Sequence, residues 1–193
     1  MRVFVAGATG VIGVPLVRLL VSAGHEVAGM TRTPAKAALL RSLGAEPFIC
    51  DVYDAEAVRR AVAAFEPDVV VNELTDLPDD VTLIRSDVNA RIRSEGNRNL
   101  LAAAAGARYV AQSVAWELDE VGAGGAAELE RSTLEAGGVV LRYGRFYGPG
   151  TYSAGAGSLP PPPRIHVDEA ARRTVEALDA PSGVLVVAEP ATG

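Results

Sequence analysis

Apolar positions along this chain fall into two alternating rhythms. Short, nearly continuous apolar runs read as strands: VFVA from Val3, HEVAGMT from His25 to Thr31, EPFIC ending at Asp51, PDVVVNE, RYVAQS, GGVVLRYG and GVLVVAE. Between them, apolar residues recur at helical spacing, which predicts helices over VIGVPLVRLLVSAG, Pro34 to Leu43, Asp54 to Phe65, roughly Val81 to Ala105, 126–136 and DEAARRTVEALDA. Pro34 falls at a first helical turn behind Thr33 as its cap, and Asp168 lies near the start of the last helix.

Strands that are apolar throughout have both faces covered, and helices between them supply the cover. The pattern therefore predicts an α/β fold with a doubly wound parallel sheet. Residues 1–150 read as the main domain. Residues 151–193 read as a reduced C-terminal region whose helix and strand pack on the same sheet. Two stretches interrupt the rhythm: GAGGAA at 122–127, and the Gly/Ser/Pro-rich run from Ser153 to Pro163, whose consecutive prolines predict an extended linker.

Composition narrows the setting. A chain of 193 residues that is 49% hydrophobic can bury a real core. A formal net charge of −6 argues against nucleic acid or an anionic membrane as partner and leaves a small molecule as the expected one. No stretch has the apolar length of a membrane span, so a cytoplasmic location is expected. Cys50, the single cysteine, excludes an internal disulfide, and its neighbours Phe48 and Ile49 suggest a core thiol.

The chemistry begins at GATGVIG, residues 7–13, between the first strand and the first helix. A glycine turn in that context binds a dinucleotide pyrophosphate: Gly7 turns the chain, Gly10 admits phosphate close to backbone N–H groups, and Gly13 lets the helix pack on the sheet. Thr9, Val11 and Ile12 complete this loop as candidate cofactor contacts. The end of the second strand bears on cofactor choice. An NAD site places a carboxylate there, whereas this chain has Met30, Thr31 and Arg32, a cation and no acid, which favours NADP(H) over NAD(H). The alternative for Arg32 is a solvated charge or a cap for the next helix.

GATGVIG, Asp51-Val52, RSEGNRNLLAAA, Ser113 and LRYGRFYGPG together resemble the extended short-chain dehydrogenase/reductase superfamily, and more narrowly the NAD-dependent epimerase/dehydratases. The resemblance covers nearly the whole chain and implies a Rossmann fold. It implies adenine contacts from Asp51 and Val52, a cofactor contact from Asn72, and a substrate-polarising hydroxyl on Ser113. It also places Tyr147 beside the nicotinamide as the best remaining proton donor. Trp116 is a candidate pocket wall, and His166 and Asp168 match a segment that usually packs and caps a helix.

One departure matters. The superfamily's Tyr-x-x-x-Lys pair, in which lysine lowers the tyrosine pKa, is missing: Lys36 is the only lysine, and Gly122 and Ala126 stand about where the pair belongs. The segments that usually build the substrate pocket are also short. The resemblance therefore implies an NAD(P)(H)-dependent oxidoreductase or epimerase-like enzyme acting on a small carbonyl or alcohol, with a non-catalytic nucleotide-binding sensor or scaffold as the alternative. It also suggests a homodimer formed through the helices near 81–105 and 126–136.

Overall fold

The computed structural model describes residues 1–78, 80–104, 106–153 and 159–190. Its centre is β1 (Arg2–Ala6), whose residues Val3 to Ala6 are fully buried because parallel strands flank it on both sides. After it come β2 (Glu26–Thr31), β3 (Glu46–Ile49), β4 (Val69–Asn72), β5 (Arg108–Val114), β6 (Val139–Tyr143), β7 (Arg145–Tyr147), β8 (Arg164–His166) and β9 (Gly183–Val187). Seven of these form one parallel sheet in the order β3-β2-β1-β4-β5-β6-β9, and β7 and β8 form a separate parallel pair. The doubly wound parallel sheet expected from the apolar rhythm is the observed one.

Alternation along β1 feeds two cores. Val3 and Val5 pack with Leu16, Val17 and Leu20 of α1 (Gly13–Ser22) and with Ala170 and Ala171 of α7 (Val167–Glu176). Phe4 and Ala6 face the opposite layer, where α3 (Ala55–Phe65) contributes Val58, Val62 and Phe65, α5 (Asn97–Ala103) Leu100, and α6 (Glu120–Glu135) Leu129. Period-two alternation sends successive side chains to opposite faces, so one short strand anchors both layers.

Several helices differ from their predicted outlines. The predicted helix 34–43 is a 3₁₀ turn, Pro34–Lys36, followed by α2 (Ala37–Ser42). Thr33 holds the cap position without a side-chain capping bond, and its own N–H donates instead to Thr31 Oγ1 at 3.2 Å. The long helix 81–105 is divided. A 3₁₀ turn at Val81–Leu83 is separated by extended Ile84 and Arg85 from α4 (Ser86–Arg91), and a π-turn, Ile92–Gly96, joins α4 to α5. Within that turn Ser94 Oγ donates to the carbonyls of Ala90 and Arg91, at 2.9 and 3.3 Å, and so competes with the regular helical ladder. Residue 105, the predicted end, lies outside the described residues.

GAGGAA, read from sequence as an interruption, is helical. Asp119 caps α6 by accepting from Gly122 N at 2.7 Å, and a Cβ on Gly125 would come within 2.5 Å of Ala90 Cα. Gly125 lets α6 lie directly on α4. Of the 153–163 linker, residues 154–158 lie outside the described residues, and Leu159–Pro163 carry neither helix nor strand. No helix among the described residues is long and apolar enough to cross a membrane.

Candidate functional site

Strand order reverses between β1 and β4, and such a switch point opens a crevice at the carboxyl ends of the strands. A cavity of about 1350 Å³ lies there, reaching from the ends of β2 and β3, across the glycine loop, to the ends of β5 and β6. Gly7, Thr9, Gly10, Val11 and Ile12 line it. Gly7 holds φ +83°, and a Cβ on it would strike the Glu73 carbonyl at 2.6 Å. A Cβ on Gly10 would meet only the Gly7 carbonyl, at 3.2 Å, so the rest of its surroundings is open crevice. Gly13 does not line the cavity. A Cβ there would come within 2.2 Å of the Gly7 carbonyl, so its glycine is needed for close packing of α1 on the loop.

The amino end of α1 has neither a side-chain cap nor an acidic residue in its first turn. An uncapped helix start carries partial positive charge and presents N–H donors. The open cradle at Gly10 and this helix start fit a pyrophosphate.

At the ends of β2 and β3, Thr31, Arg32, Lys36, Asp51, Val52 and Tyr53 line the cavity. Val52 is buried, whereas Asp51 is exposed and accepts from Tyr53 N at 3.0 Å. Arg32 is not a free cation: its guanidinium pairs with Asp76 at 2.9 Å, and that hydrogen bond, reduced by partial burial, raises its pKa. Cys50 lies against the same end, and burial, then the charges of Asp51 and Asp54, push its thiol up to about 11. It is no nucleophile at neutral pH.

Asn72 stands apart from the cavity lining. It is 2% exposed, donates to Asn97 Oδ1 at 2.8 Å and accepts from Leu74 N at 3.1 Å. Asn97 also accepts from the Tyr109 hydroxyl at 2.9 Å, so these residues tie β4, β5 and α5 together as a buried polar joint. Tyr147, the expected proton donor, is likewise outside the cavity lining. Its hydroxyl bonds to Glu189 and its ring stands edge-on to His166, with centroids 5.2 Å apart. The turn at Gly144 sends β7 away from the main sheet to pair with β8, and Tyr147 goes with it. His166 caps α7, accepting from Asp168 N at 3.3 Å.

Ser113 lines the cavity at the end of β5 and donates to Glu130 Oε1 at 2.6 Å. Glu130 also accepts from Arg142 Nε and Nη2, at 2.9 and 2.6 Å. Burial alone would raise the Glu130 pKa, but the bonds from Arg142 and Ser113 and the charges of Arg142 and Arg93 outweigh it and hold it below the ordinary value. With its proton directed at a carboxylate, Ser113 has only acceptor capacity left for a substrate. Gly122 lines the cavity and Ala126 is buried, so neither position of α6 projects a polar side chain into it. Trp116 lines the cavity with the Arg145 guanidinium 5.0 Å from its ring centroid.

Two lining residues carry more than the sequence reading gives them: Glu73 reads only as closing the fourth strand at the crevice, and Arg93 is not singled out. Glu73 follows β4, is 4% exposed, and lies 2.9 Å from the Tyr143 hydroxyl, which in turn lies 2.6 Å from Thr174 Oγ1. Thr174 gives its own proton to the Ala170 carbonyl at 2.8 Å. The phenol has one proton, so both of its contacts are hydrogen bonds only if Tyr143 donates to Thr174 and a protonated Glu73 donates to Tyr143. Burial pushes the Glu73 carboxyl up to about 8, which agrees with that proton count. The second residue is Arg93, 8% exposed within the π-turn. The sequence signal for both was a charged residue at an otherwise core-facing position: Glu73 between Asn72 and Leu74 at a strand end, Arg93 on the helix face of Asn89, Asn97 and Leu100.

Comparisons with known proteins identify the family and the fold. A 3-diazoavenalumate denitrifying reductase from a Streptomyces species is 38% identical over 228 aligned positions, covering 93% of this chain and 72% of the reductase. Those positions outnumber the 193 residues here, so the reductase carries additional residues inside the matched stretch. The UDP-glucose 4-epimerase of Thermus thermophilus, solved with NAD, superposes with a TM-score of 0.77 at 22% identity over 97% of this chain and 78% of the epimerase. That of Thermotoga maritima, solved with UDP-glucose, gives 0.80 at 16% identity over 97% and 77%. Residues 3–116 match the NAD dependent epimerase/dehydratase family, and this chain belongs to it.

Proposed function

We propose that the protein is a reductase that uses NADPH in preference to NADH on a small electrophilic substrate whose reduction requires no proton from the enzyme. The observation that carries the reading is the wall of α6. Gly122 and Ala126 stand about where the resemblance expects the proton-handling pair, while the glycine loop expected to hold the dinucleotide is present. Reduction of a carbonyl, the substrate suggested by family resemblance, needs a proton at the new alkoxide. Ser113 directs its proton at Glu130, and the protons of Glu73 and Tyr143 are held in a buried hydrogen-bonded chain with Thr174. When bound, a reduced nicotinamide supplies hydride, and an aryl diazonium that accepts it releases dinitrogen and takes up no proton. The relative named as a denitrifying reductase of a diazo compound supports the same class of substrate.

The residues of the chain then have mainly to bind and orient. The uncapped start of α1 and the loop from Gly7 to Ile12 would hold the pyrophosphate, Val52 would pack against adenine with Asp51 beside it, and Arg32 and Lys36 would face a 2′-phosphate. Because Arg32 is paired with Asp76, the 2′-phosphate must take over that partner. Trp116 on the opposite side would wall an aromatic substrate.

The test is NADPH oxidation by the purified chain, followed anaerobically with a panel of aldehydes, ketones and aryl diazonium salts, each against an enzyme-free blank. The expected result is turnover of diazonium salts at least tenfold above the blank, with dinitrogen and arene formed in equal amounts. Turnover of the carbonyl panel alone would refute the proton-free reading, and binding of NADPH with no turnover of any member would make the protein a nucleotide-binding sensor.

A further inference from the structure

We infer that Arg93 is the anchor for a carboxylate on the substrate, so that the crevice selects acidic molecules. The inference rests on the reductase reading above and adds the substrate's charge to it.

Arg93 sits in the π-turn between α4 and α5, lines the cavity and is 8% exposed. Its Nε is buried with no hydrogen-bond partner, and the guanidinium forms no ion pair among the described residues. That separates it from the other cations of the crevice with known partners. Arg32 is taken by Asp76, and Arg145 bonds to the Pro162 carbonyl at 3.2 Å beside Trp116. Glu130 is the acid nearest in influence, but Arg142 already pairs with it through two nitrogens, and Ser113 takes a further site. Glu130, Arg142 and Arg93 therefore sum to one uncompensated positive charge. A buried cation left without a partner is costly, and burial lowers the Arg93 pKa accordingly. A monoanion arriving in the crevice removes that cost.

The shape of the group identifies the anion. A guanidinium fork matches two coplanar oxygens, which is the geometry of a carboxylate. The competing source of oxyanions is the pyrophosphate of the dinucleotide, which the uncapped start of α1 already accommodates. Arg93 instead lies where α6 packs against the π-turn, in the electrostatic neighbourhood of Glu130, on the wall that lacks its Tyr-x-x-x-Lys pair. Chemistry that needs no proton relay leaves this wall free to read the substrate. The π-turn itself is consistent with such a use, because single-turn π-bulges concentrate at functional sites.

The experiment is calorimetric titration of the full chain with cinnamate and with its neutral analogue cinnamamide, each with and without saturating NADPH, on the wild type, Arg93→Met and Arg93→Lys. The wild type is expected to bind cinnamate at least 30-fold more tightly than cinnamamide. Arg93→Met abolishes that preference while NADPH affinity stays within threefold, and Arg93→Lys, which keeps the charge and loses the fork, retains part of it. Circular dichroism reports whether Arg93→Met is folded, and if it is not, Arg93→Lys carries the test, with a preference cut at least fivefold. Equal binding of acid and amide by the wild type, or an undiminished preference in the variants, overturns the proposal. So does a parallel loss of NADPH affinity, which would assign Arg93 to the pyrophosphate. If the wild type ignores NADPH, the reductase reading falls, while the arms without cofactor still decide whether Arg93 reads a carboxylate.

Discussion

Glu73 is an acid whose burial favours its neutral form. Its side chain ends a hydrogen-bonded chain that runs through Tyr143 and Thr174 to the accepting Ala170 carbonyl, and its second oxygen, Oε2, is buried without a partner. The consequence for stability has a definite sign. The carboxyl has an ordinary value of 4.5 and is pushed up to about 8 in the folded protein, chiefly by burial. Between those values the native state holds a proton that the unfolded chain releases, so stability falls as pH rises. The contribution is fully present below about pH 4.5 and is lost as pH rises through about 8. Glu73→Gln keeps the shape and removes the titration. We expect urea unfolding of the wild type to lose about 2–4 kcal/mol relative to Glu73→Gln between pH 5 and pH 8, from about 1.4 kcal/mol per unit of pKa. Identical pH dependence in the two proteins would mean that Glu73 is ionised in the native state.

Among the elements, α6 is where local sequence misleads and packing explains. Glycine is a poor helix former, so GAGGAA reads as a break, yet it lies inside a helix of 16 residues. Gly124 and Gly125 separate the two effects at work. A Cβ on Gly124 would meet nothing within 4 Å, whereas one on Gly125 would come within 2.5 Å of Ala90 Cα and 2.9 Å of its carbonyl oxygen. Gly124→Ala should therefore gain about 0.5–1 kcal/mol from helix propensity alone. Gly125→Ala should lose about 1–3 kcal/mol, because α4 must move to admit a methyl against its backbone. Thermal melts of both variants check the contrast, and stabilisation by both would mean that α4 and α6 do not approach this closely.

The same contrast marks how far the sequence could be read. The parallel sheet was legible because β1, β4 and β6 are largely apolar runs, and the glycine loop because its spacing and neighbours are local features. The division of 81–105 was not, since it depends on Ser94 bonding back to carbonyls and on Ile84 and Arg85 turning extended in their tertiary setting. The surroundings of Tyr147 were not legible for a similar reason. Its motif is local, but the strand that carries it is directed by pairing with β8, a contact between residues far apart in the chain. Arg93 was overlooked, and Glu73 was read only as a polar strand end, because a lone charge in an apolar context reads as a solvated residue until the burial around it is known.

For the molecule as a whole, the crevice is lined by loops from several parts of the sheet. A dinucleotide seated there would touch the ends of β1, β2 and β3 together with the loop after β4, so its binding energy would stabilise the whole native state and not one lobe of it. At a concentration 100 times its dissociation constant, a ligand that binds only the folded chain adds about 2.7 kcal/mol. For a domain of 193 residues that corresponds to a rise in Tm of about 5–10 °C. The net charge of −6 gives an anionic ligand no general attraction, so discrimination between NADPH and NADH must come from local contacts at Arg32 and Lys36. Arg32 is partly neutralised by Asp76, and the net gain from a 2′-phosphate is its charged hydrogen bonds less the ion pair given up. We expect NADPH to raise Tm several degrees more than NADH at equal concentration, and Arg32→Ala to weaken NADPH binding by roughly 1–2 kcal/mol while leaving the NADH shift unchanged. Equal loss for both dinucleotides would place Arg32 in general binding of the adenosine half and leave the choice between the two to Lys36.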